Sequence, residues 1–179
     1  MLTLSIFRHA KSSWDDGRLK DADRPLNERG RAASPMMGQY MLREQLRPDL
    51  VLSSPSVRTR ETCELAFAGF PNPPELQFEN VLYLASARTL LGRIRKAPET
   101  SRHLMLVGHN PGMHLLALEL LGTARAPRAD EPANQADLKA KLPTGGLVVV
   151  EFDCATWADI GPGRGRLARF VAPRMLGTI

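Results

Sequence analysis

The chain of 179 residues is 43% hydrophobic and 24% charged, a balance that predicts one globular domain spanning residues 1–179. It contains no apolar run long enough to cross a membrane and no leader typical of a secretory signal. The formal net charge of +5 favours anionic partners, such as phosphate, nucleic acid or anionic lipid, without choosing among them. The two isolated cysteines, Cys63 and Cys154, lack paired-ligand spacing and predict a cytoplasmic protein with both thiols reduced.

The chain opens with a predicted strand that ends in a cation and an imidazole. Residues 3–7 are mostly apolar, and Arg8 and His9 follow them directly. In a mostly parallel α/β sheet, function gathers where strands end. An arginine beside a histidine offers a fixed positive charge next to a potential nucleophile. The same pair could simply be a solvated end of a strand. The residues that follow the later strands distinguish these two interpretations.

A polar loop, a helix and a second strand come next. Residues 15–25 have turn chemistry, Asn27 marks a helix start, and residues 31–45 carry apolar side chains near helical spacing. Residues 49–52 form a short predicted strand that runs into Ser54. We predict Ser54 as a helix cap with Pro55 at the first helical position, as an anion donor, or as both.

Two arginines follow Ser54 on the predicted second helix. Arg58 and Arg60 are two positions apart, so they cannot share one helix face, and at most one of them points into a pocket. Downstream, Ser86 is a predicted cap for a third helix, whose apolar face is Leu90, Leu91 and Ile94.

The third buried strand, residues 103–107, also ends in a reactive side chain, because Gly108 and His109 follow it. His114 lies inside the leucine-rich helix that comes next, and His103 lies at the opposite end of the strand from His109. We interpret both as structural. A short helix is predicted near residues 135–141, a strand at 147–152, and a basic turn at 161–166 before a last strand at 167–171.

Two arginines and two histidines at three strand ends fit a phosphoryl dianion, because guanidinium forks match phosphate oxygens and a neutral imidazole can attack phosphorus. Competing chemistries lack their motifs. The sequence has no glycine-rich loop with Lys-Ser/Thr for nucleoside triphosphates, no cysteine-arginine phosphatase loop and no Gly-x-Ser-x-Gly elbow. The histidines lack the spacing and partner carboxylates of a metal site, so no metal is predicted.

The motifs at residues 7–12, 53–62 and 107–111 resemble those of the histidine phosphatase superfamily (branch 1), most closely its small phosphohistidine phosphatases of the SixA type. Residues 24–26 followed by Gly30, and residues 143–145 before a strand, are similar to the same branch. The resemblance spans nearly the whole chain. It implies a three-layer α/β/α sandwich with a central, mostly parallel sheet, as in phosphoglycerate mutase-like proteins.

The resemblance also implies residue roles. His9 would be the nucleophile that is transiently phosphorylated, and His109 the second histidine that donates to phosphate oxygens. The implied phosphate ligands are Arg8, His9, Ser12, Arg24, Arg58 and His109. The expected enzyme is a metal-independent hydrolase without cofactor. It would release inorganic phosphate from phosphohistidine in proteins or from another small phosphorylated molecule.

Two departures from the family pattern bear on the substrate. Ala10 replaces the glycine that usually follows the Arg-His pair. Many relatives supply a general acid from the region after the second helix, and this sequence has no clear counterpart. Glu79 is the nearest candidate, and Leu84 occupies a position where an acidic residue would suit this role. An alkoxide leaving group needs a proton, so this pattern favours phosphohistidine or another labile phosphoryl donor.

Two other classes of function stay open. One is a non-catalytic phosphate- or phosphopeptide-binding module on the same fold. The other is a nucleic-acid binder that uses the net charge and the basic turn at 161–166, although no aromatic residues are interleaved there to stack bases. We rank the enzyme first and expect neither nucleic acid nor membrane as a partner.

Overall fold

Six strands form one sheet in the computed structural model, which describes residues 1–122 and 131–177. In chain order they are β1 (Leu2–Arg8), β2 (Leu50–Ser53), β3 (Glu75–Phe78), β4 (His103–Gly108), β5 (Leu147–Phe152) and β6 (Arg166–Val171). Their order across the sheet is β3-β2-β4-β1-β5-β6. The pairs among β3, β2, β4 and β1 are parallel, whereas β5 is antiparallel to both β1 and β6. The sheet is therefore mostly parallel, as predicted.

Helices cover both faces of the sheet. They are α1 (Glu28–Arg43), α2 (Val57–Phe67), α3 (Ala87–Ile94), α4 (Gly112–Leu121) and α5 (Gln135–Ala140). Buried side chains of α1 and α2 pack in one hydrophobic cluster, and those of α3, α4 and α5 pack in another. The predicted three-layer α/β/α fold is confirmed.

Alternation along the strands explains the two clusters. On β1, Leu4 and Ile6 belong to the cluster under α3 and α4, whereas Phe7 belongs to the one under α1 and α2. Leu106 and Val107 on β4 separate in the same way. Successive side chains of a strand point to opposite faces, so these nearly continuous apolar runs serve both layers.

The edge strand β3 is the main element that the sequence did not predict. It covers only four residues, and none of them is buried. The predicted short helix near residues 135–141 is confirmed as α5, while residues 123–130 of that stretch lie outside the described residues.

Three strands end side by side at one edge of the sheet. Arg8 on β1 pairs with Gly108 on β4, and Ser53 on β2 pairs with Val107 on β4. The residues that follow these strands, His9, Ser54 and His109, therefore emerge together. Within the described part of the chain, no helix is long and apolar enough to cross a membrane.

Candidate active site

The turn after β1 is held on three sides by hydrogen bonds. The His9 amide donates to the Gly108 carbonyl at 3.1 Å, and the Ala10 amide donates to the Thr62 hydroxyl of α2 at 3.0 Å. On the third side, the Gly145 amide donates to the carbonyls of Arg8 and His9 at 3.1 and 2.9 Å. Gly145 has a φ of 71°, and a Cβ there would lie 2.8 Å from Pro173, so only glycine suits this turn.

The His9 ring is buried with one defined tautomer. Its Nδ1 lies 2.7 Å from the Ala10 carbonyl, and a carbonyl can only accept, so Nδ1 carries the proton. The lone pair of the neutral ring is therefore on Nε2. Burial is the main cause that lowers the pKa of His9, to about 3, and the charges of Arg58 and Arg8 also lower it, against the opposing effect of the Ala10 hydrogen bond. The ring is thus a free base at neutral pH.

Helix α2 delivers Arg58 to the same edge. The helix begins at Val57 with Ser56 as its N-cap, so the prediction that Ser54 caps it with Pro55 at the first helical position is wrong. The Ser54 hydroxyl instead lies 2.7 Å from His109 Nε2. Arg58 is only 3% exposed, whereas Arg60 is exposed and stacks on Phe78.

His109 lies between Arg58 and Ser54. An Arg58 terminal nitrogen is 3.2 Å from His109 Nδ1. A guanidinium can only donate, so Nδ1 accepts and the ring proton is on Nε2, where it donates to Ser54. Burial, followed by the charge of Arg58, lowers the pKa of His109 to about 4. The rings of His109 and His9 are 5.2 Å apart, so two neutral imidazoles lie within one cluster.

Asp21 is a residue of the site that the sequence analysis missed. Its carboxylate pairs with Arg58 and Arg24, each at 2.9 Å, and accepts a hydrogen bond from the Tyr83 hydroxyl. The Tyr83 hydroxyl, and after it Arg58 and Arg24, holds the pKa of Asp21 well below its usual range. The one sequence feature that could have indicated Asp21 is its position three residues before Arg24. Its other partners, Arg58 and Tyr83, are 37 and 62 residues away along the chain, and no sequence pattern indicates those contacts.

Arg24 and Ser12 contact each other beside this carboxylate. An Arg24 terminal nitrogen donates to the Ser12 hydroxyl at 2.5 Å, and its Nε donates to the Ser13 carbonyl at 3.0 Å. The guanidinium also lies 3.2 Å from the ring centre of Trp14, a cation–π contact, and the Trp14 side chain is 74% exposed. A buried arginine and an exposed indole thus meet at the mouth of the site.

A small cavity of about 150 Å³ collects most of these groups. The described residues that line it are Arg8, His9, Lys11, Ser12, Trp14, Arg24, Arg58 and Thr144. None of these lining residues is acidic, and Asp21 is the carboxylate that pairs with two of them. Four cationic side chains, those of Arg8, Lys11, Arg24 and Arg58, against one carboxylate make the cavity net positive, which suits a phosphoryl dianion.

The other predicted residues lie around this cavity in different ways. His109 adjoins His9 and Arg58 but does not line the cavity itself. Glu79 is held by Arg93 in an ion pair with contacts of 2.7 and 2.8 Å. Leu84 is exposed. Thr144, Trp14 and Lys11 line the cavity although the sequence analysis gave them no role.

His103 and His114, interpreted as structural, lie away from this cluster. The His103 Nε2 is 2.8 Å from the Ser5 hydroxyl, and the His114 Nε2 is 2.7 Å from the Leu138 carbonyl. Cys63 is fully buried beneath β2, with its Sγ 3.7 Å from the Ser53 hydroxyl, and burial raises its pKa to about 12. Over residues 1–122 and 131–177, no three His, Cys, Asp or Glu side chains gather where they could hold a metal ion.

We expect the His9 and His109 rings to titrate far below the ordinary histidine value of 6.5, because protonation would place a charge in a buried cluster that is already cationic. A group whose pKa falls on folding stabilises the native state above its unfolded pKa, so acidification below pH 6.5 should lower stability, by up to about 1.4 kcal/mol per pH unit for each such histidine. Ring-proton NMR and thermal unfolding between pH 7.5 and pH 4.5 test this. Ring signals of His9 with a midpoint near 6.5 would contradict it.

Comparison with known proteins agrees with this arrangement. The family model described as "Histidine phosphatase superfamily (branch 1)" matches residues 4–80. An uncharacterized protein of Mycobacterium tuberculosis is 32% identical over 167 residues, which cover 93% of this chain and 99% of that protein. The crystal structure of a candidate phosphohistidine phosphatase SixA from Agrobacterium tumefaciens is 30% identical, with a TM-score of 0.80 over 96% of this chain and 98% of that one.

A more distant structure supports the fold. The protein histidine phosphatase SixA complexed with tungstate is 19% identical and has a TM-score of 0.76 over 98% of this chain and 100% of that one. The chain is a phosphatase that acts through phosphohistidine. The basic cavity that His9 lines and His109 adjoins, at the carboxyl edge of the sheet, is its candidate active site. The chain belongs to the histidine phosphatase superfamily, branch 1.

Proposed function

We propose that this phosphatase, a single domain over residues 1–179, uses His9 as its nucleophile and removes the phosphoryl group from phosphohistidine in proteins. The observation that carries the proposal is the hydrogen bond from His9 Nδ1 to the Ala10 carbonyl. This bond leaves the Nε2 lone pair free on a ring that lines the basic cavity. Burial keeps that lone pair from being protonated at neutral pH.

In the first step, His9 Nε2 attacks phosphorus, and the bond between phosphorus and the leaving group breaks. The leaving group departs with the bonding electron pair and takes a proton from solvent. The new phosphorus–nitrogen bond makes the ring cationic, and the Ala10 carbonyl at 2.7 Å stabilises that charge through the proton on Nδ1. In the second step, water attacks phosphorus, its proton passes to solvent, and the phosphorus–nitrogen bond breaks to return neutral His9 and inorganic phosphate.

Arg8, Arg24, Arg58 and His109 bind and neutralise the phosphoryl group in this proposal, with Ser12 beside Arg24. Positioning and charge neutralisation dominate such transfers. A bound dianion also favours the protonated form of His109. Nδ1 of His109 then carries a proton and can donate to a phosphoryl oxygen, which frees the Arg58 nitrogen 3.2 Å away to do the same.

The proposal favours a labile leaving group, because no carboxylic acid that could act as a general acid lines the cavity within the described part of the chain. None of its eight described lining residues is acidic. Glu79 forms an ion pair with Arg93, and the lowered pKa of Asp21 keeps that carboxyl group ionised. An imidazole can leave with a proton from solvent, whereas an alkoxide needs a positioned acid. This supports phosphohistidine over alkyl phosphates.

We expect wild-type protein to release phosphate from a phosphohistidine protein much faster than from an alkyl phosphate, on the order of 10²-fold or more, which is the contribution of one general acid. Phosphate release from a panel of phosphohistidine proteins, sugar phosphates and alkyl esters measures this. Activity should survive a chelator, and vanadate or tungstate should compete. Glu79→Gln is the matched variant and should leave the rates unchanged. Preference for alkyl esters together with loss in Glu79→Gln would overturn the proposal, as would activity that only a divalent metal restores.

The competing function is a phosphate- or phosphopeptide-binding module without turnover. The neutral, cavity-lining His9 favours the enzyme, since a site that only binds an anion has no use for a free Nε2 lone pair. Turnover of a chromogenic phosphomonoester or trapping of a phosphohistidine intermediate separates the two.

We place the enzyme in the cytoplasm, with phosphorylated proteins as partners and neither nucleic acid nor membrane. Free Cys63 and Cys154 support a reducing compartment. The basic turn at 161–166 includes Arg166 in an ion pair with Glu151, so part of its charge is neutralised.

A further inference from the structure

The catalytic cavity is too small to hold a large substrate. Its volume of about 150 Å³ suits a phosphoryl group and little more, whereas typical ligand pockets begin near 300 Å³. The rest of any phosphorylated macromolecule has to lie on surface that adjoins the cavity. That surface should therefore carry information about the substrate.

A second cavity of about 600 Å³ adjoins the first. Thr144 lines both of them, so the two cavities meet at this residue. We call the larger one the arginine groove. Its lining comes from the start of α1, the loop before β5 and the segment after β6, and comprises Arg29, Pro143, Thr144, Ala172, Pro173, Arg174 and Gly177.

The position of this groove is fixed by the same contacts that build the catalytic site. The Gly145 amide ties the loop before β5 to Arg8 and His9. At the start of α1, a Cβ on Gly30 would lie 2.1 Å from the Lys11 carbonyl, so the helix packs directly on the turn that follows His9. Arg29 is the neighbour of Gly30 on that helix. Both walls of the groove are therefore held against the catalytic turn.

Two of the seven residues that line the groove are charged, and both are arginines. Arg29 and Arg174 are exposed, and neither makes an ion pair or side-chain hydrogen bond within the described residues. Arg29 also lines a neighbouring cavity that contains Asp15 and Glu28, but its guanidinium forms no ion pair with either of these carboxylates. Two unpaired guanidinium forks match carboxylate groups, and the start of a 16-residue helix adds partial positive charge.

We propose that the arginine groove binds an acidic polypeptide segment of the phosphoprotein whose phosphohistidine enters the catalytic cavity. This inference rests on the proposed function. Half-buried Pro143 gives the groove an apolar contact surface for a peptide, whereas Ala172 and Pro173 are buried beneath it. None of the seven lining residues has an aromatic ring to stack a nucleic-acid base. The groove thus selects substrates by carboxylates near the phosphohistidine, while the small cavity recognises the phosphoryl group.

The test compares two synthetic peptides that carry the same phosphohistidine, one flanked by glutamates and one by glutamines. For the wild type, we expect KM to be about tenfold lower with the glutamate peptide, the effect of two arginine–carboxylate contacts at a partly exposed site. Arg29→Glu with Arg174→Glu should raise KM for the glutamate peptide at least tenfold and leave KM for the glutamine peptide within about threefold. Turnover of phosphoramidate, which has no second anion, should be unchanged.

A matched control carries the same change in net charge elsewhere. Arg47 and Lys96 are exposed, lie at the opposite edge of the sheet beyond α1 and α3, and make no ion pair in the described structure. Arg47→Glu with Lys96→Glu should keep the preference for the glutamate peptide. Equal loss in both double variants would show a general charge effect and overturn the proposal. So would an unchanged KM ratio in the groove variant, or a single-stranded oligonucleotide that competes better than the glutamate peptide.

Binding of a fluorescent, unphosphorylated glutamate peptide separates the groove from catalysis. Wild-type protein should bind it about tenfold more tightly than the groove variant, and this readout requires no turnover. If the wild type turned over neither peptide nor phosphoramidate yet kept this difference, the proposed function would fail and the groove would stand. If turnover were normal but the wild type and the groove variant bound the peptide equally, the groove alone would fail.

Discussion

Replacing His9 with alanine is expected to abolish phosphate release, by a factor of about 10⁴ or more, because the proposed mechanism places the covalent bond to phosphorus on this ring. With labelled phosphoryl donor, the wild type should carry acid-labile, base-stable label, and His9→Ala should carry none. The fold should persist, since only the Nδ1 bond to the Ala10 carbonyl and the ring contact with His109 are lost.

His114→Ala is the matched control for this experiment. His114 is partly buried and, like His9, has one hydrogen bond to a carbonyl, but that bond goes to Leu138, away from the cavity. The variant should keep both label and turnover. Label that persists in His9→Ala would falsify the assignment of the nucleophile, and circular dichroism of both variants shows whether the fold is intact.

Arg58→Ala should lower kcat/KM by about 10²–10³, the usual cost of one lost donor to a transition-state oxyanion. Arg60→Ala, two positions along the same helix, should change it by less than about threefold. Arg60 stacks on Phe78 and donates to the Pro55 carbonyl, whereas Arg58 is buried against Asp21 and His109. The measurement is steady-state kinetics with one phosphoryl donor.

Arg58→Lys gives a second variant for the same position. It keeps the charge but loses the planar fork, so its rate should fall between those of the wild type and Arg58→Ala. If Arg60→Ala were the worse of the two alanine variants, the helix face assigned to the pocket would be incorrect. Thermal unfolding of each variant separates loss of activity from loss of fold.

The fold was predictable from the sequence wherever apolar runs end abruptly. Strands β1, β2 and β4 read as continuous buried runs, and each changes within one or two residues to Arg8-His9, Ser54 or His109. Such runs are typical of strands covered on both faces. The edge strand β3 is short and half-exposed, so it lacks that signal.

The site was predictable only in part, because several of its contacts depend on irregular segments. Asp21 lies in a single turn of 3₁₀ helix. Its contacts with Arg58 and Tyr83 depend on the tertiary packing of α2 and of the segment before α3 against that turn. Ser54 and Ser56 flank the same proline, and local cap preferences suit either of them. The structure places the cap at Ser56 and leaves Ser54 for His109.

The sulfur beneath β2 has a consequence for how this enzyme responds to oxidants. Peroxide inactivates phosphatases that attack through a cysteine, because it converts their exposed thiolate to sulfenic acid. Here Cys63 is buried with a pKa of about 12, and burial also raises the pKa of Cys154, so neither thiol is an easily oxidised thiolate at neutral pH. An imidazole nucleophile does not undergo this oxidation of sulfur. Dephosphorylation by this enzyme should therefore continue under oxidative conditions that inactivate thiolate-based phosphatases.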